Sequence, residues 1–132
     1  MSRSLRSGSY TLLRVLSGLM FSFHGVQKVL GVLTAQTPEF GSQLWIGGVI
    51  ELVCGVAVAG GLFTRPAAFL ASGTMAVAYV QYHWDGAVDE RFFPTVNGGE
   101  LALLYSLVFL YICCAGGGWL SFDARRRKSR SG

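Results

Sequence analysis

The 132-residue chain is 52% hydrophobic and only 14% charged, with a formal net charge of +4 and a mean hydropathy of +0.46. That balance is too apolar for an ordinary soluble domain and too poor in charge for a disordered one. The expectation is an all-α fold, an integral membrane four-helix bundle forming a single domain over residues 1–132. The expected helices cover residues 10–33, 44–62, 67–84 and 98–115, each long enough at about 1.5 Å per residue to approach a hydrocarbon core of about 30 Å. A soluble bundle would need a polar stripe along each helix. None is visible: between Val49 and Leu62 the polar side chains are Glu51 and Cys54 alone.

The first span follows Arg3 and Arg6 and runs past His24 and Lys28. Leu33-Thr34-Ala35 is a poor cleavage site, so a retained helix is expected rather than a signal peptide. Within SFHGVQK, His24 and Lys28 stand at i and i+4 on one face, and Gly18, Ser22 and Gly25 make a small-residue ridge. Glu51 lies in the second span between Gly48 and Gly55, at a depth between those of His24 and Lys28. An unpaired charge there would cost about 2.5 to 3.5 kcal/mol on insertion scales, so Glu51 is expected to pair with Lys28, His24 or both. The bland reading of Lys28 is snorkelling to the interface. It leaves His24 and Glu51 unexplained.

Gly60-Gly61 and Pro66 mark a tight turn that makes the second and third spans antiparallel. The third span ends in Tyr79, Gln81, Tyr82, His83 and Trp84; Tyr82 and Trp84 suit an interfacial belt, while Tyr79 and His83 join the candidate polar cluster. The loop 85–97 contains Phe92, Phe93 and Pro94 among acidic residues, which suit either a fold over the mouth of the bundle that shields the polar cluster or anchoring at the interface. Asn97 and Glu100 resemble an N-terminal capping box, although Glu100 is also a cluster candidate. The candidate site is therefore His24, Lys28, Glu51, Tyr79, His83 and Glu100.

Arg3, Arg6, Arg65 and the tail over 124–132, with Arg125, Arg126, Arg127, Lys128 and Arg130, gather on one side of an even number of spans. The other two loops hold Arg91 alone, beside four acidic residues. Both termini are expected in the cytoplasm, with the tail attracted to anionic headgroups. Arg14, Thr64, Arg65 and Asp123 read as topology and interface residues of that end. No folded module or interleaved aromatic points to nucleic acid, and no metal site is expected. Cys54, Cys113 and Cys114 form no C-x-x-C pair and read as apolar filler.

Together, RVLSGLMFSFHGVQKVLG from Arg14, GGVIELVCGVAVAGGLFTRPAA from Gly47 and NGGELALLYSLVFLYICCAGGGWLSFDA from Asn97 resemble the DoxX family of small four-helix membrane proteins. The carrying features are H-G-x-x-K at His24 to Lys28, Glu51 with Gly55, G-L-x-T-R at Gly61 to Arg65, N-G-G-E at Asn97 to Glu100, and the G-x-G before Ser121 and Asp123. The resemblance implies a multi-pass protein of the bacterial inner membrane. Its better-known relatives include a subunit of a thiosulfate:quinone oxidoreductase and a component of membrane-associated oxidative-stress complexes. The expected role is a subunit or partner of a membrane redox system, with a quinone as candidate ligand in the outer half of the bundle. The alternatives are a non-enzymatic scaffold for a redox enzyme and a small transporter. With no dinucleotide fingerprint and few histidines, a stand-alone oxidoreductase is not indicated, and electrons would come from a bound quinone or a partner.

Overall fold

The computed structural model describes residues 3–130, so the expected domain and its tail extend outside the described residues at positions 1–2 and 131–132. Among the described residues there are six α-helices and no strand: α1 (Arg3–Leu30), α2 (Gln43–Gly60), α3 (Thr64–Ala78), α4 (Pro94–Asn97), α5 (Glu100–Ala115) and α6 (Phe122–Arg130). A π-helical segment, Tyr79–Trp84, continues α3, and a 3₁₀ turn, Glu90–Phe92, precedes α4. The long helices pack α1 on α2, α2 on α3 and α3 on α5, while α1 and α5 meet only lightly.

Many large apolar side chains are exposed, while polar groups are buried beside the apolar core of Phe21, Val58, Phe109 and Ile112. Leu12, Leu16, Met20, Phe23, Val53, Val56, Phe69, Leu104 and Leu107 are exposed, whereas Arg14, Glu51, Thr64, Ser72 and Ser106 are buried. Water would penalise both halves of that arrangement, and a hydrocarbon surround favours it. Helix α2 is long and apolar enough to cross a membrane. The expectation of four such spans is not met on composition alone. At 28 residues α1 has the length, but Arg14, His24, Gln27 and Lys28 lie within it. Apolar α5 has 16 residues, about 24 Å of helix.

Sequence chemistry accounts for the helix ends. The Ser42 hydroxyl accepts from Trp45 N–H at 3.2 Å to start α2. At its other end Gly61 adopts φ 71°, with Gly61 N–H donating to Val58 O and Leu62 N–H to Ala57 O. This is a Schellman closure, for which a glycine in the left-handed region is well suited. Where α1 crosses α2, backbone meets backbone: a Cβ on Gly18 would lie 2.6 Å from Ala59 N, and one on Gly55 2.6 Å from Ser22 N. The small-residue ridge thus allows a contact that dispersion must stabilise where no hydrophobic drive operates between helices.

One local expectation is corrected. Asn97 and Glu100 do not form a capping box, because Gly98 at φ 71° turns the chain between them and makes Gly99 the N-cap of α5. Asn97 Oδ1 instead accepts from Gly99 N–H at 2.8 Å. The basic tail is helical from Phe122 to Arg130.

Candidate functional site

Three elements converge on Glu51. Helix α1 brings His24 and Lys28 one turn apart, α2 brings Glu51, and the π-helical end of α3 brings His83. Lys28 Nζ donates to Glu51 Oε1 at 2.6 Å, and the glutamate side chain is 6% exposed against 31% for the lysine. The pair forms because both residues face the α1–α2 seam, where Gly48 lets the chains close up: a Cβ on it would sit 2.6 Å from Lys28 Cβ.

Beside this pair lies a chamber of about 170 Å³ whose walls include His24, Lys28, Glu51, His83 and Tyr105. His24 meets the Tyr105 ring edge-on at 6.2 Å. His83 Nδ1 is 3.3 Å from the Asn97 carbonyl oxygen, within reach of donating to it as the Nδ1–H tautomer. Two buried atoms there have no protein partner: Glu51 Oε2, an acceptor, and the Tyr105 hydroxyl, a donor and acceptor. Leaving buried polar atoms unmatched costs about 1 to 3 kcal/mol each, so such groups point to a bound polar molecule.

Of the expected site residues, the structure brings together His24, Lys28, Glu51 and His83. Tyr79 lies instead against Gly99, where a Cβ would come 2.6 Å from its ring, and its hydroxyl is 3.4 Å from Asn97 Nδ2. Glu100 is exposed and borders an outer hollow with Pro94, Leu103 and Leu107. The Phe92 and Phe93 rings do not line the chamber, whose walls on this side include Gly98; Phe92 packs edge-on against Trp84 at 5.8 Å. Sequence reasoning missed Tyr105. Its signal was a hydroxyl in the middle of an apolar helix, far from any interfacial belt.

A larger groove of about 530 Å³ runs between α2 and α3 and shares Lys28, Glu51, Met75, His83 and Ala102 with the chamber. Most of its remaining wall is apolar, including Leu44, Ile50, Phe69, Leu70 and Val77. Its volume falls in the range of small-molecule sites, about 300 to 1,000 Å³. Near its α2 end Gln43 Nε2 donates to Gln81 Oε1 at 2.6 Å. An apolar trough ending on a polar chamber suits an amphiphile with a hydrogen-bonding head.

The other end of the bundle is held by a polar network. Arg14 is 1% exposed, and donates to the carbonyls of Val58, Ala59 and Leu120, each at 2.6 Å. Arg65 Nη1 donates to the carbonyls of Cys113 and Cys114, and the Tyr10 hydroxyl to that of Gly116. These two residues serve the last carbonyls of α5 as Arg14 serves those of α2. Asp123 accepts from Phe63 N–H, Thr64 N–H and the Thr64 hydroxyl, at 2.9, 2.9 and 2.7 Å. It thereby caps α3 from 60 residues away. This also steadies Phe63, which sits in the left-handed region at φ 46°.

Partial burial acts to raise the Asp123 pKa, but the bonds from Thr64 and Phe63, with Arg127 nearby, outweigh it and hold the carboxyl below its ordinary range. A folded-state pKa below the unfolded value means stabilisation that is present above the unfolded pKa and lost as pH falls through the folded one. Acidification below about pH 4 should therefore release the α6 end first. Asp123→Asn should remove that acid-dependent step, as read by limited pepsin proteolysis of the connection before α6 across an acid pH titration. An unchanged profile would show that the carboxylate does not set it.

Comparison with known proteins agrees with this architecture. The chain is 44% identical over 115 residues to an uncharacterized protein of Haemophilus influenzae, covering 84% of this chain and 85% of the relative. No solved structure matches. The DoxX family model matches residues 9–84, a stretch that holds His24, Lys28, Glu51 and His83. The chain belongs to the DoxX family of membrane proteins.

Proposed function

We propose that this DoxX protein is a multi-pass four-helix protein of the bacterial inner membrane that serves as a subunit or partner of a membrane redox system, holding a quinone head at the Glu51 chamber. One observation carries the reading: a buried carboxylate oxygen and a buried phenol, both unmatched, face a chamber adjoining an apolar groove. A quinone tail suits the α2–α3 groove and its ring oxygens suit the Tyr105 hydroxyl and the Lys28–Glu51 pair. Reduction of a quinone takes two electrons and two protons. Glu51, His24 and His83 are proton-exchanging groups only, so the electrons come from a partner protein.

Orientation follows from charge. Arg65 and the α6 arginines lie at the end of the bundle opposite the chamber, and this asymmetry supports the reading of cytoplasmic termini with the chamber in the outer half. In a variant with the native cysteines replaced, a cysteine at Ser129 should be labelled only from the cytoplasm and one at Gln36 only from outside. The reverse pattern overturns the orientation.

The ligand is tested by purifying the full chain in mild detergent and measuring co-purifying quinone by mass spectrometry. Gly73 lines the groove, and a Cβ there meets nothing within 4 Å. Gly73→Phe should fill the groove and leave the fold intact, and the expected result is near-stoichiometric quinone in the parent and at least about a fivefold loss in this variant. A parent protein free of quinone, or a variant that retains it fully, overturns the assignment. A tightly held enzyme without quinone would make the protein a scaffold.

A further inference from the structure

At the end of the bundle opposite the chamber, a cleft of about 410 Å³ is walled by Arg65, Arg126, Arg127 and Arg130 together with Phe63 and Asp123. We propose that this cleft binds the phosphodiester headgroup of an anionic phospholipid.

The charge in the cleft is strongly one-sided. Asp123, its acidic wall, already accepts three hydrogen bonds from Phe63 and Thr64. Planar guanidinium groups suit phosphate oxygens, which accept parallel N–H bonds in a fork. Two of the four are positioned before any ligand arrives. Arg65 is tied by Nη1 to the carbonyls ending α5 and rests against Gly116, where a Cβ would lie 3.3 Å from its Nε. The Arg126 guanidinium sits over the Phe63 ring, 5.6 Å from its centroid. Side chains so held lose little further freedom on binding.

The surroundings favour a lipid over a soluble phosphate. Phe63 and Trp119 are each 61% exposed, and Phe122 and Leu120 are also exposed at this end. Apolar side chains in and around a basic cleft suit the zone between headgroups and acyl chains. A phospholipid presents phosphate and hydrocarbon together, whereas a free phosphate leaves those side chains in water. This differs from diffuse attraction of a basic tail, because it depends on which arginines are present and not only on how many.

The test uses the full chain in uncharged detergent, with native mass spectrometry of retained lipid after adding phosphatidylglycerol, phosphatidylcholine or glycerol 3-phosphate. Arg126→Gln with Arg130→Gln removes two charges from the cleft. Arg125→Gln with Lys128→Gln removes two from α6 residues that do not line it. Phosphatidylglycerol should be retained in preference to phosphatidylcholine, with affinity falling about 10-fold or more in the cleft variant and less than about 2-fold in the other. Equal losses in the two variants, or equal retention of the two lipids, overturn the site. Glycerol 3-phosphate binding as tightly as phosphatidylglycerol would make the ligand a soluble phosphate and overturn the lipid assignment. Should the cleft double variant unfold, Arg130→Gln alone carries the test, with an expected loss of about 5-fold.

Discussion

Lys28→Met should destabilise the folded protein by about 3 to 5 kcal/mol, because it strands a buried carboxylate. Among the described residues the lysine bond at 2.6 Å is the one hydrogen bond to that carboxylate, since Oε2 has none. The reciprocal change should cost less. Glu51→Gln leaves a lysine that is 31% exposed near the end of α1 and can turn its ammonium toward the interface. The double variant, Lys28→Met with Glu51→Gln, should recover much of the loss, giving a coupling energy far from zero. Retention of the monodisperse peak after graded heating in detergent measures each variant. Additive losses would show that the pair is not a unit. Recovered stability with lost ligand retention is the signature expected if the pair also forms the binding site.

Arg14→Met is expected to cost about 3 kcal/mol or more. It removes three bonds from a charged donor, each contributing about 1.5 to 3 kcal/mol. Two of those carbonyls end α2 and the third, Leu120, begins the approach to α6. Loss of the guanidinium therefore should free α6 before the rest of the bundle opens. Arg14→Lys should recover only part of the stability, since one ammonium cannot reproduce the planar fork that reaches Val58, Ala59 and Leu120 together. Limited proteolysis in the 117–124 connection, alongside thermal retention, reads both effects. A fully stable Arg14→Met protein would show that Arg14 is a topology residue, as its position near the first span first suggests.

The sequence by itself determined the apolar helices, the α1–α2 glycine seam and the need for Glu51 to find a cation. Each follows from a local or pairwise energy: hydrocarbon length, backbone approach and the cost of an unpaired buried charge. It left open which of His24 and Lys28 would meet Glu51. Only the tertiary structure decided for Lys28, because the rotation of α1 at its crossing with α2 aims His24 at Tyr105 on α5 instead. The same holds for Glu100, which reads as a cluster member until Gly98 turns the chain and leaves it on the outer surface. The bonding roles of Arg14 and Asp123, which read as topology and interface residues, are hidden for a related reason. Their partners lie 44 to 106 residues away for Arg14 and 59 to 60 for Asp123, and apart from the Thr64 hydroxyl they are backbone groups. Every residue carries such groups, so no side-chain pattern marks the ones that a packed helix end will leave unpaired.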